Sequence, residues 1–209
     1  MPRRRTVRAY VGLGANVGDA SATLARAVAA LEALPGVAVR GVSRLYATAP
    51  WGVEDQPEFR NAAVTVDVAW STGEPAERAL DLLAWLKTLE RGAGRRRRRR
   101  WGPRELDLDL LVFGRYRISV ERTAAARSID AGVDPARAAK RLEVPHRDLG
   151  ERLFVVAPLA DLAGGLVPPG WSATVETRRR ELAATEPPGS VRVVGEWDAT
   201  SGRWSRIGG

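Results

Sequence analysis

The chain has 209 residues, a hydrophobic share of 44% and a formal net charge of +8. This length and apolar content are sufficient for one domain with a buried core, so global disorder is not expected. The absence of cysteine excludes a disulfide framework, a thiolate metal site and a cysteine nucleophile. No apolar run reaches the length of a signal peptide core or a membrane span, and a soluble cytoplasmic protein is expected.

The positive charge comes almost entirely from arginine, and part of it is local. Six arginines follow one another at 95–100, whereas Lys87 and Lys140 are the only lysines. A basic chain can bind nucleic acid or an acidic small ligand. A local cluster favours a polyphosphate ligand over a broad nucleic-acid surface, although such a run is also typical of a solvated segment of like charge.

Hydrophobic periodicity predicts alternating strands and helices over the first part of the chain. In chain order the elements are a strand at 8–13, a helix at 21–34, a strand at 37–48, a strand at 59–69, a helix at 75–91 and a strand at 105–113. This β-α-β-β-α-β order predicts an α+β fold of the ferredoxin-like type, in which an antiparallel sheet carries its helices on one face. The fold by itself does not select a function.

The rest of the chain is interpreted as additions to this core. Residues 115–140 show no clear period and indicate an insertion. A predicted helix at 153–162, an arginine-rich helix near 172–184 and a terminal hairpin at 190–206 follow. We therefore expect a single domain over residues 1–209, with an insertion near 115–140 and a C-terminal extension beyond about residue 170.

Two aspartates, Asp107 and Asp109, stand one residue apart inside the apolar run of the last core strand. Because alternate side chains of a strand share a face, both carboxylates should project together while Leu106, Leu108 and Leu110 point to the core. Two such carboxylates repel each other unless a cation lies between them. Mg²⁺ carrying phosphates meets that need, since it binds one or two carboxylates plus substrate oxygens. The simpler alternative is a pair of exposed acids that form salt bridges with neighbouring arginines.

The residues around this pair favour chemistry on a magnesium nucleotide. The arginines at 95–100 and Arg104 lie just upstream and suit phosphate binding. His146, the only histidine, stands beside Arg147 and could donate a hydrogen bond to a phosphate, although a lone histidine is more often structural. Trp101 is either a packing residue or a stacking surface for a flat ring.

Four segments of the chain resemble the 6-hydroxymethyl-7,8-dihydropterin pyrophosphokinase family of folate biosynthesis. They are YVGLGAN at 10–16, SRLYATAPWGVEDQPEFRNAAV at 43–64, RWGPRELDLDLL at 100–111 and VPHRDLGERLFVVAPLADL at 144–162. The third is similar to the family signature. The segments follow the family's order and together cover most of residues 8–162.

The resemblance implies an enzyme that transfers pyrophosphate from ATP to the hydroxymethyl group of the pterin and releases AMP. ATP would be the co-substrate and two Mg²⁺ ions the cofactor. Asp107 and Asp109 would hold both metals, in agreement with the clamping of an in-line displacement by two metals. Asp107 would also help to orient or deprotonate the pterin hydroxyl. Arg95 and Arg104 complete the catalytic set that the resemblance implies.

The resemblance also implies two groups of binding residues. The pterin site maps onto Thr48, Ala49, Trp51, Phe59, Asn61, Trp101 and Phe154. The ATP site maps onto Lys87, Glu90, Arg95, Arg97, Arg104, His146 and Arg152. Phe59 and Phe154 would sandwich the flat ring, and Asn61 would hydrogen-bond to its amide-like edge.

The chain departs from the family pattern at three places. Arg147 stands where an aromatic residue is common, and Phe59 stands where a tyrosine is frequent. The arginine loop is one residue shorter than in some relatives, so which arginine of 95–100 enters the site is left open. The segment 115–140 and the tail beyond 170 have no counterpart that we assign.

Two alternatives belong to other functional classes. A basic ferredoxin-like sheet is also the scaffold of RNA-recognition domains, but those carry aromatic residues on adjacent central strands, and no such pattern is present. A catalytically inactive relative is the other alternative, although both aspartates and Asn61 are present. We expect ATP and hydroxymethyldihydropterin as the partners of a monomer, with no specific nucleic acid and no membrane.

Overall fold

The computed structural model describes residues 5–49, 56–94, 102–127 and 140–207. The elements are β1 (Arg5–Ala15), α1 (Ala20–Glu32), β2 (Val37–Val42), β3 (Leu45–Thr48), β4 (Phe59–Trp70), α2 (Pro75–Gly92), β5 (Asp107–Phe113), β6 (Ile118–Glu121), β7 (Arg141–Val144), α3 (Leu153–Ala163), α4 (Val175–Thr185), β8 (Val191–Asp198) and β9 (Arg203–Arg206). Within these ranges, no helix combines the length and the apolar character that a membrane crossing requires.

Seven strands form one antiparallel sheet in the order β5-β1-β4-β3-β8-β9, with β2 beside the second half of β4. This confirms the predicted antiparallel sheet in a mixed α/β protein. The terminal hairpin, β8 and β9, continues the same sheet because β8 pairs with β3. The strand β5, which carries the two aspartates, lies at the other end of the order.

Helices α1 and α2 cover one face of the sheet, as predicted. Leu24 of α1 and Leu86 of α2 are fully buried against Val11 and Leu108 of the strands. Removing apolar surface of this kind from water is the main stabilising contribution to such a core. Helices α3 and α4, which the sequence places among the additions to the βαββαβ core, lie on the opposite face, because α3 packs against β4, β1 and β3 from that side.

The second apolar cluster explains why α3 and α4 lie on that opposite face. Tyr10 alternates with Ala9 and Val11 along β1 and therefore points away from α1 and α2. Tyr10 packs with Val112 of β5 and with Val156 of α3. The helix α3 is apolar almost throughout, so it needs cover on more than one side. α4 supplies part of that cover through Val175.

The single strand predicted at 37–48 is two strands in the structure. Its first part, β2, pairs with the second half of β4, and its second part, β3, pairs with the first half of β4. Ser43 lies at the break, where its backbone N–H donates to the Ala63 carbonyl and its hydroxyl accepts from the Ala63 N–H. The long strand β4 thus pairs with two short strands, β2 and β3, instead of one continuous strand.

The segment predicted as an unpatterned insertion at 115–140 begins with regular structure. β6 pairs with β7 to form a two-stranded ribbon, which we call the β6–β7 ribbon. A short 3₁₀ turn at Ala124–Ala126 follows β6 and packs against α2, with Ala126 fully buried. Residues 128–139, which include the possible short helix near Asp134, lie outside the described residues.

Candidate active site

Asp107 and Asp109 project from the same face of β5, as the alternation predicts. Asp107 lies opposite Gly14 of β1, and Asp109 lies opposite Gly12. Their side chains are 25% and 40% exposed, whereas Leu108 between them is fully buried on the other side. We call this side of the sheet the acidic face. It presents two carboxylates to solvent from a strand that is anchored by its leucines.

Gly14 brings the acidic pair close to the pterin residues expected from the sequence. Its cross-strand neighbours are Asp107 on one side and Asn61 on the other. A Cβ atom at Gly14 would stand 3.3 Å from Asn61 Oδ1 and 4.0 Å from the Asp107 Cβ. Because Gly14 has no side chain, the Asn61 amide and the Asp107 carboxylate can lie on either side of its backbone with no side chain between them. Gly14 lies within the segment YVGLGAN at 10–16, but the sequence alone gives no signal for this role.

The polar residues Asn61 and Thr48 form one buried unit on the acidic face. Asn61 Nδ2 donates to Thr48 Oγ1 at 2.9 Å, and both residues are less than one-tenth exposed. Phe59 lies directly opposite Thr48 and is half-buried, and Ala49 is exposed at the end of β3. The structure therefore gathers four of the expected pterin residues at the same end of β3 and β4.

Lys87 and Glu90, predicted as ATP contacts, lie at the outer edge of β5 in the structure. They are 3% and 1% exposed, and Lys87 Nζ donates to Glu90 Oε1 at 2.6 Å. Nζ also donates to the Leu108 carbonyl at 2.7 Å, and the Leu108 N–H donates to Glu90 Oε1 at 2.7 Å. Burial lowers the pKa of Lys87, but the charges of Glu90, Asp109 and Asp107 outweigh it and hold that pKa above its ordinary value.

Arg104 approaches the same carboxylates from the segment before β5. Its Nη1 lies 2.5 Å from Asp107 Oδ2, with both side chains partly exposed. The backbone of Arg104 is held by Asn16, whose Oδ1 accepts from the Arg104 N–H at 2.7 Å. The simpler interpretation, a salt bridge between an aspartate and a neighbouring arginine, therefore describes Asp107 in this structure. A phosphate near Asp107 would find the same guanidinium within reach.

Three more predicted residues follow the β6–β7 ribbon. The His146 N–H donates to the Leu111 carbonyl of β5 at 2.8 Å, which holds this histidine beside the acidic strand. Arg152 pairs with Asp148 at 2.8 Å, and its guanidinium carbon lies 6.0 Å from the centre of the Phe154 ring. Phe154 is in the first turn of α3, which packs on β3 and β4. The ATP and pterin residues of this segment are thus neighbours.

Arg122 is a cation that the sequence analysis missed. It follows β6 directly, is half-buried, and its Nε donates to the Arg141 carbonyl at 3.0 Å. Burial lowers its pKa, and the charges of Asp109 and Glu90 act in the opposite sense. The negative charge of Asp109 therefore acts on the Arg122 guanidinium. Its position in the unpatterned segment gave no signal, because only the pairing of β6 with β7 brings it towards β5.

The donor set suits magnesium better than a metal that needs a protein cage. Among the described residues, no three or more His, Cys, Asp or Glu side chains converge in a way that could hold a metal ion. Two carboxylates on a fixed strand nevertheless fit Mg²⁺, which completes its shell with water and phosphate oxygens. The predicted residues Trp51, Arg95, Arg97 and Trp101 lie outside the described residues.

The sequence matches the family model described as 7,8-dihydro-6-hydroxymethylpterin-pyrophosphokinase over residues 10–164. A 2-amino-4-hydroxy-6-hydroxymethyldihydropteridine pyrophosphokinase of Methylorubrum extorquens is 40% identical over 186 residues, which are 89% of this chain and 98% of the relative. The protein of the same name from Bacillus subtilis is 39% identical over 74% of this chain and 77% of the relative.

Solved structures give the same picture for the fold. A crystal structure of wild-type Plasmodium falciparum HPPK-DHPS is similar with a TM-score of 0.68 and 13% identity, over 99% of this chain and 51% of that chain. The same protein with pteroate is similar with a TM-score of 0.65 and 14% identity, over 99% of this chain and 48% of that chain. The chain thus spans about half the length of these solved chains, and at such identities the likeness concerns the fold alone.

Proposed function

The chain belongs to the 7,8-dihydro-6-hydroxymethylpterin-pyrophosphokinase family, and we propose that the acidic face of its sheet is the active site. The activity is the ATP-dependent transfer of pyrophosphate to 6-hydroxymethyl-7,8-dihydropterin, which gives the pterin diphosphate and AMP in folate biosynthesis. The observation that carries the site assignment is the arrangement of Asp107, Gly14 and Asn61 on three neighbouring strands. It places the Asp107 carboxylate, which would face the ATP phosphates, next to the Asn61 amide, which would hydrogen-bond to the pterin ring.

Asp107 and Asp109 are the residues that would hold two Mg²⁺ ions. Their common face, partial exposure and separation by one buried residue support this role. Bound magnesium would neutralise the triphosphate charge and polarise the phosphorus that is attacked. Because the described residues offer two carboxylates on β5 and no larger cluster of metal ligands, the ATP phosphates themselves would complete the shell.

The ATP side of the site is assigned to the cations around β5. Arg104 reaches Asp107 from the segment before the strand, and His146 and Arg152 follow the β6–β7 ribbon. Arg122, half-buried after β6, is added to this group because the charge of Asp109 acts to raise its pKa. Guanidinium groups suit phosphates because they offer paired N–H donors in a planar fork. Arg95 and Arg97 are assigned from the sequence resemblance alone.

The pterin side is assigned to the ends of β3 and β4 and the start of α3. Asn61 presents an amide that can pair with the pyrimidinone edge of the ring, and Thr48 fixes the orientation of that amide. Phe59 and Phe154 would hold the ring between apolar faces. Ala49 adjoins Thr48, while Trp51 and Trp101 rest on the resemblance alone.

In the reaction, the pterin hydroxyl oxygen attacks the β-phosphorus of ATP, and the bond from that phosphorus to the α,β-bridging oxygen breaks. AMP leaves with the bonding electrons, and the hydroxyl proton passes to solvent water. Asp107 is the carboxylate nearest to Asn61 across Gly14, so it is suited to orient the hydroxyl and accept a hydrogen bond from it. Holding both substrates over one sheet face supplies most of the orientation that such a transfer needs.

We further infer that the chain works as one ferredoxin-like pyrophosphokinase domain. The order β5-β1-β4-β3 with α1 and α2 on one face supports this topology. The pairing of β8 with β3 supports treating the C-terminal extension as part of the same domain, and the ribbon as an insertion into it. A monomer in the cytoplasm stays a prediction from the sequence.

The test is AMP formation from ATP, Mg²⁺ and the reduced hydroxymethylpterin. Asp109→Asn keeps the size of the side chain, so it should leave the fold intact and lower kcat by at least roughly a hundredfold, as expected when an electrostatic contact to the reacting phosphates is lost. Asp81→Asn, on the exposed surface of α2, is the matched control and should be fully active. No AMP from the folded wild-type chain would refute the activity, and a fully active Asp109→Asn would refute the site.

A further inference from the structure

Among the described residues, the strand that carries the acidic pair, β5, lies at the end of the strand order, and at Leu108 its outer edge is covered by two side chains of α2. Leu108 stands between Asp107 and Asp109, and both of its backbone groups are used. Its N–H donates to Glu90 Oε1 at 2.7 Å, and its carbonyl accepts from Lys87 Nζ at 2.7 Å. Lys87 and Glu90 therefore satisfy the backbone hydrogen bonds of Leu108 that a neighbouring strand would otherwise make. Leu108 separates Asp107 from Asp109.

In the part of the chain that the structure describes, two carboxylates lie within ion-pair distance of Lys87, and their distances are unequal. Its Nζ lies 2.6 Å from Glu90 Oε1 but 3.6 Å from Asp109 Oδ1. The first contact is a charge-assisted hydrogen bond between residues one helical turn apart, and the second is a looser ion pair. Glu90 is thus the partner that holds the ammonium group, and the Asp109 carboxylate, 40% exposed, faces solvent on the acidic face.

A role as direct ATP contacts does not agree with this geometry. Lys87 and Glu90 are 3% and 1% exposed, so neither presents a surface to a nucleotide. An ammonium group has three N–H donors, and Lys87 directs two of them to Glu90 and to Leu108. The Asp109 oxygen is the next acceptor in reach. A buried ion pair is also a poor device for stability alone, because apolar residues of similar volume often serve as well.

We propose that Glu90 is a positioning residue for the metal site, which keeps Lys87 from closing on Asp109 and so reserves that carboxylate for Mg²⁺. The inference rests on the proposed role of Asp109 as a metal ligand. Without the charge of Glu90, the nearest anion for the buried ammonium is Asp109, less than one ångström beyond hydrogen-bonding distance. Asp109 would then be drawn into a tight ion pair with Lys87 and would compete poorly for metal.

The proposal predicts that Glu90→Gln weakens Mn²⁺ binding and that a second substitution, at Lys87, restores it. Glu90→Gln keeps an oxygen that accepts from the Leu108 N–H but removes the charge that holds Lys87. It should weaken binding of Mn²⁺ alone, followed by the loss of the free-ion EPR signal, by at least about tenfold, and lower kcat in parallel. Lys87→Gln/Glu90→Gln removes the competing ammonium and still offers hydrogen bonds to both backbone groups of Leu108, so Mn²⁺ affinity should return to within about threefold of wild type.

Controls separate this inference from its alternatives. Glu181→Gln, an exposed glutamate on α4, should bind Mn²⁺ like the wild type. If the double variant resists urea like the wild type but does not recover Mn²⁺ affinity, the pair does not act through Lys87 and the proposal is wrong. A raised KM for ATP in Glu90→Gln with unchanged Mn²⁺ affinity would restore the role of a nucleotide contact and would also overturn it.

A further variant keeps the test decisive if the double variant does not fold. In an Asp109→Asn background, Glu90→Gln should have no additional effect on Mn²⁺ affinity, because the carboxylate that Lys87 would capture is gone. An additional loss there would overturn the proposal. If Asp109→Asn alone binds Mn²⁺ like the wild type, the assignment of the metal site fails; if it loses binding while Glu90→Gln does not, only the present inference fails.

Discussion

Asn16 and Arg104 are joined by two hydrogen bonds, in which each residue donates its backbone N–H to the other. The Asn16 N–H donates to the Arg104 carbonyl at 2.9 Å, and the Arg104 N–H donates to Asn16 Oδ1 at 2.7 Å. Asn16 is only 1% exposed, and its Nδ2 donates to Gln56 Oε1 and to the Pro57 carbonyl, each at 3.1 Å. One buried amide therefore links the end of β1 to the segments that lead into β4 and β5.

Asn16→Ala should lower both stability and activity. The change removes the side-chain acceptor of the Arg104 N–H and the donor to the Pro57 carbonyl, and the loss of such partly buried hydrogen bonds costs about 1–3 kcal/mol of unfolding free energy. It also releases the backbone of Arg104, so kcat/KM for ATP should fall by roughly tenfold or more, since small displacements of a phosphate-binding group are costly. Urea denaturation and steady-state kinetics measure the two effects.

Ser43→Ala is the matched control for this change. Ser43 is also 1% exposed and accepts from a backbone N–H of β4, but it lies at the break between β2 and β3. We expect a comparable loss of stability with nearly normal kcat/KM. Equal kinetic losses in the two variants would mean that Asn16 affects activity only through the fold.

Gly14→Ala should affect the pterin more than the fold. The backbone at Gly14 does not need a positive φ, but the added Cβ would stand 3.3 Å from Asn61 Oδ1 and displace that amide. We expect the KM for the pterin to rise by about fivefold to tenfold, which corresponds to roughly 1 kcal/mol of lost binding, with a urea midpoint close to that of the wild type. Gly165→Ala, where a Cβ meets no atom within 4 Å, is the control. An unchanged pterin KM in Gly14→Ala would place the ring elsewhere.

The local features of this site could be predicted from sequence because they depend on strand periodicity. Alternation along β5 was sufficient to place Asp107 and Asp109 on one face and Leu108 on the other. Alternation could not show that the same leucine's backbone is held by Lys87 and Glu90. That contact joins a helix to an edge strand across many residues of chain.

Pairing between strands that are distant in the sequence explains the elements that were predicted wrongly. The strand at 37–48 is divided because β4 is long enough to pair with two successive partners, a property of β4 and not of the segment itself. β6 has four residues and finds its partner only at Arg141–Val144. Short strands separated by so much chain leave no hairpin signal. Arg122 was missed for the same reason.

Thr48→Val should weaken pterin binding while ATP binding stays normal. The valine keeps the shape of the side chain but removes the oxygen that accepts from Asn61 Nδ2 at 2.9 Å. The amide of Asn61 then loses its fixed orientation, and a buried donor is left without its partner at a cost of about 1–3 kcal/mol. The KM values for the two substrates, measured separately, test this. A matched rise in both would contradict the assignment of Thr48 to the pterin side, and Thr88→Val on the exposed surface of α2 is the control.

Arg122→Ala should raise the KM for ATP and leave the KM for the pterin unchanged. The guanidinium donates to the Arg141 carbonyl, and among the described residues no carboxylate lies within ion-pair distance of it. Its charge is therefore available to a phosphate beside Asp109. We expect roughly a tenfold rise, since losing one charge-assisted hydrogen bond costs about 1.5–3 kcal/mol and water replaces part of it. Arg127→Ala, an exposed arginine just beyond the 3₁₀ turn, should have no such effect. If both variants raise the KM equally, the effect is one of net charge, and Arg122 does not contact the nucleotide.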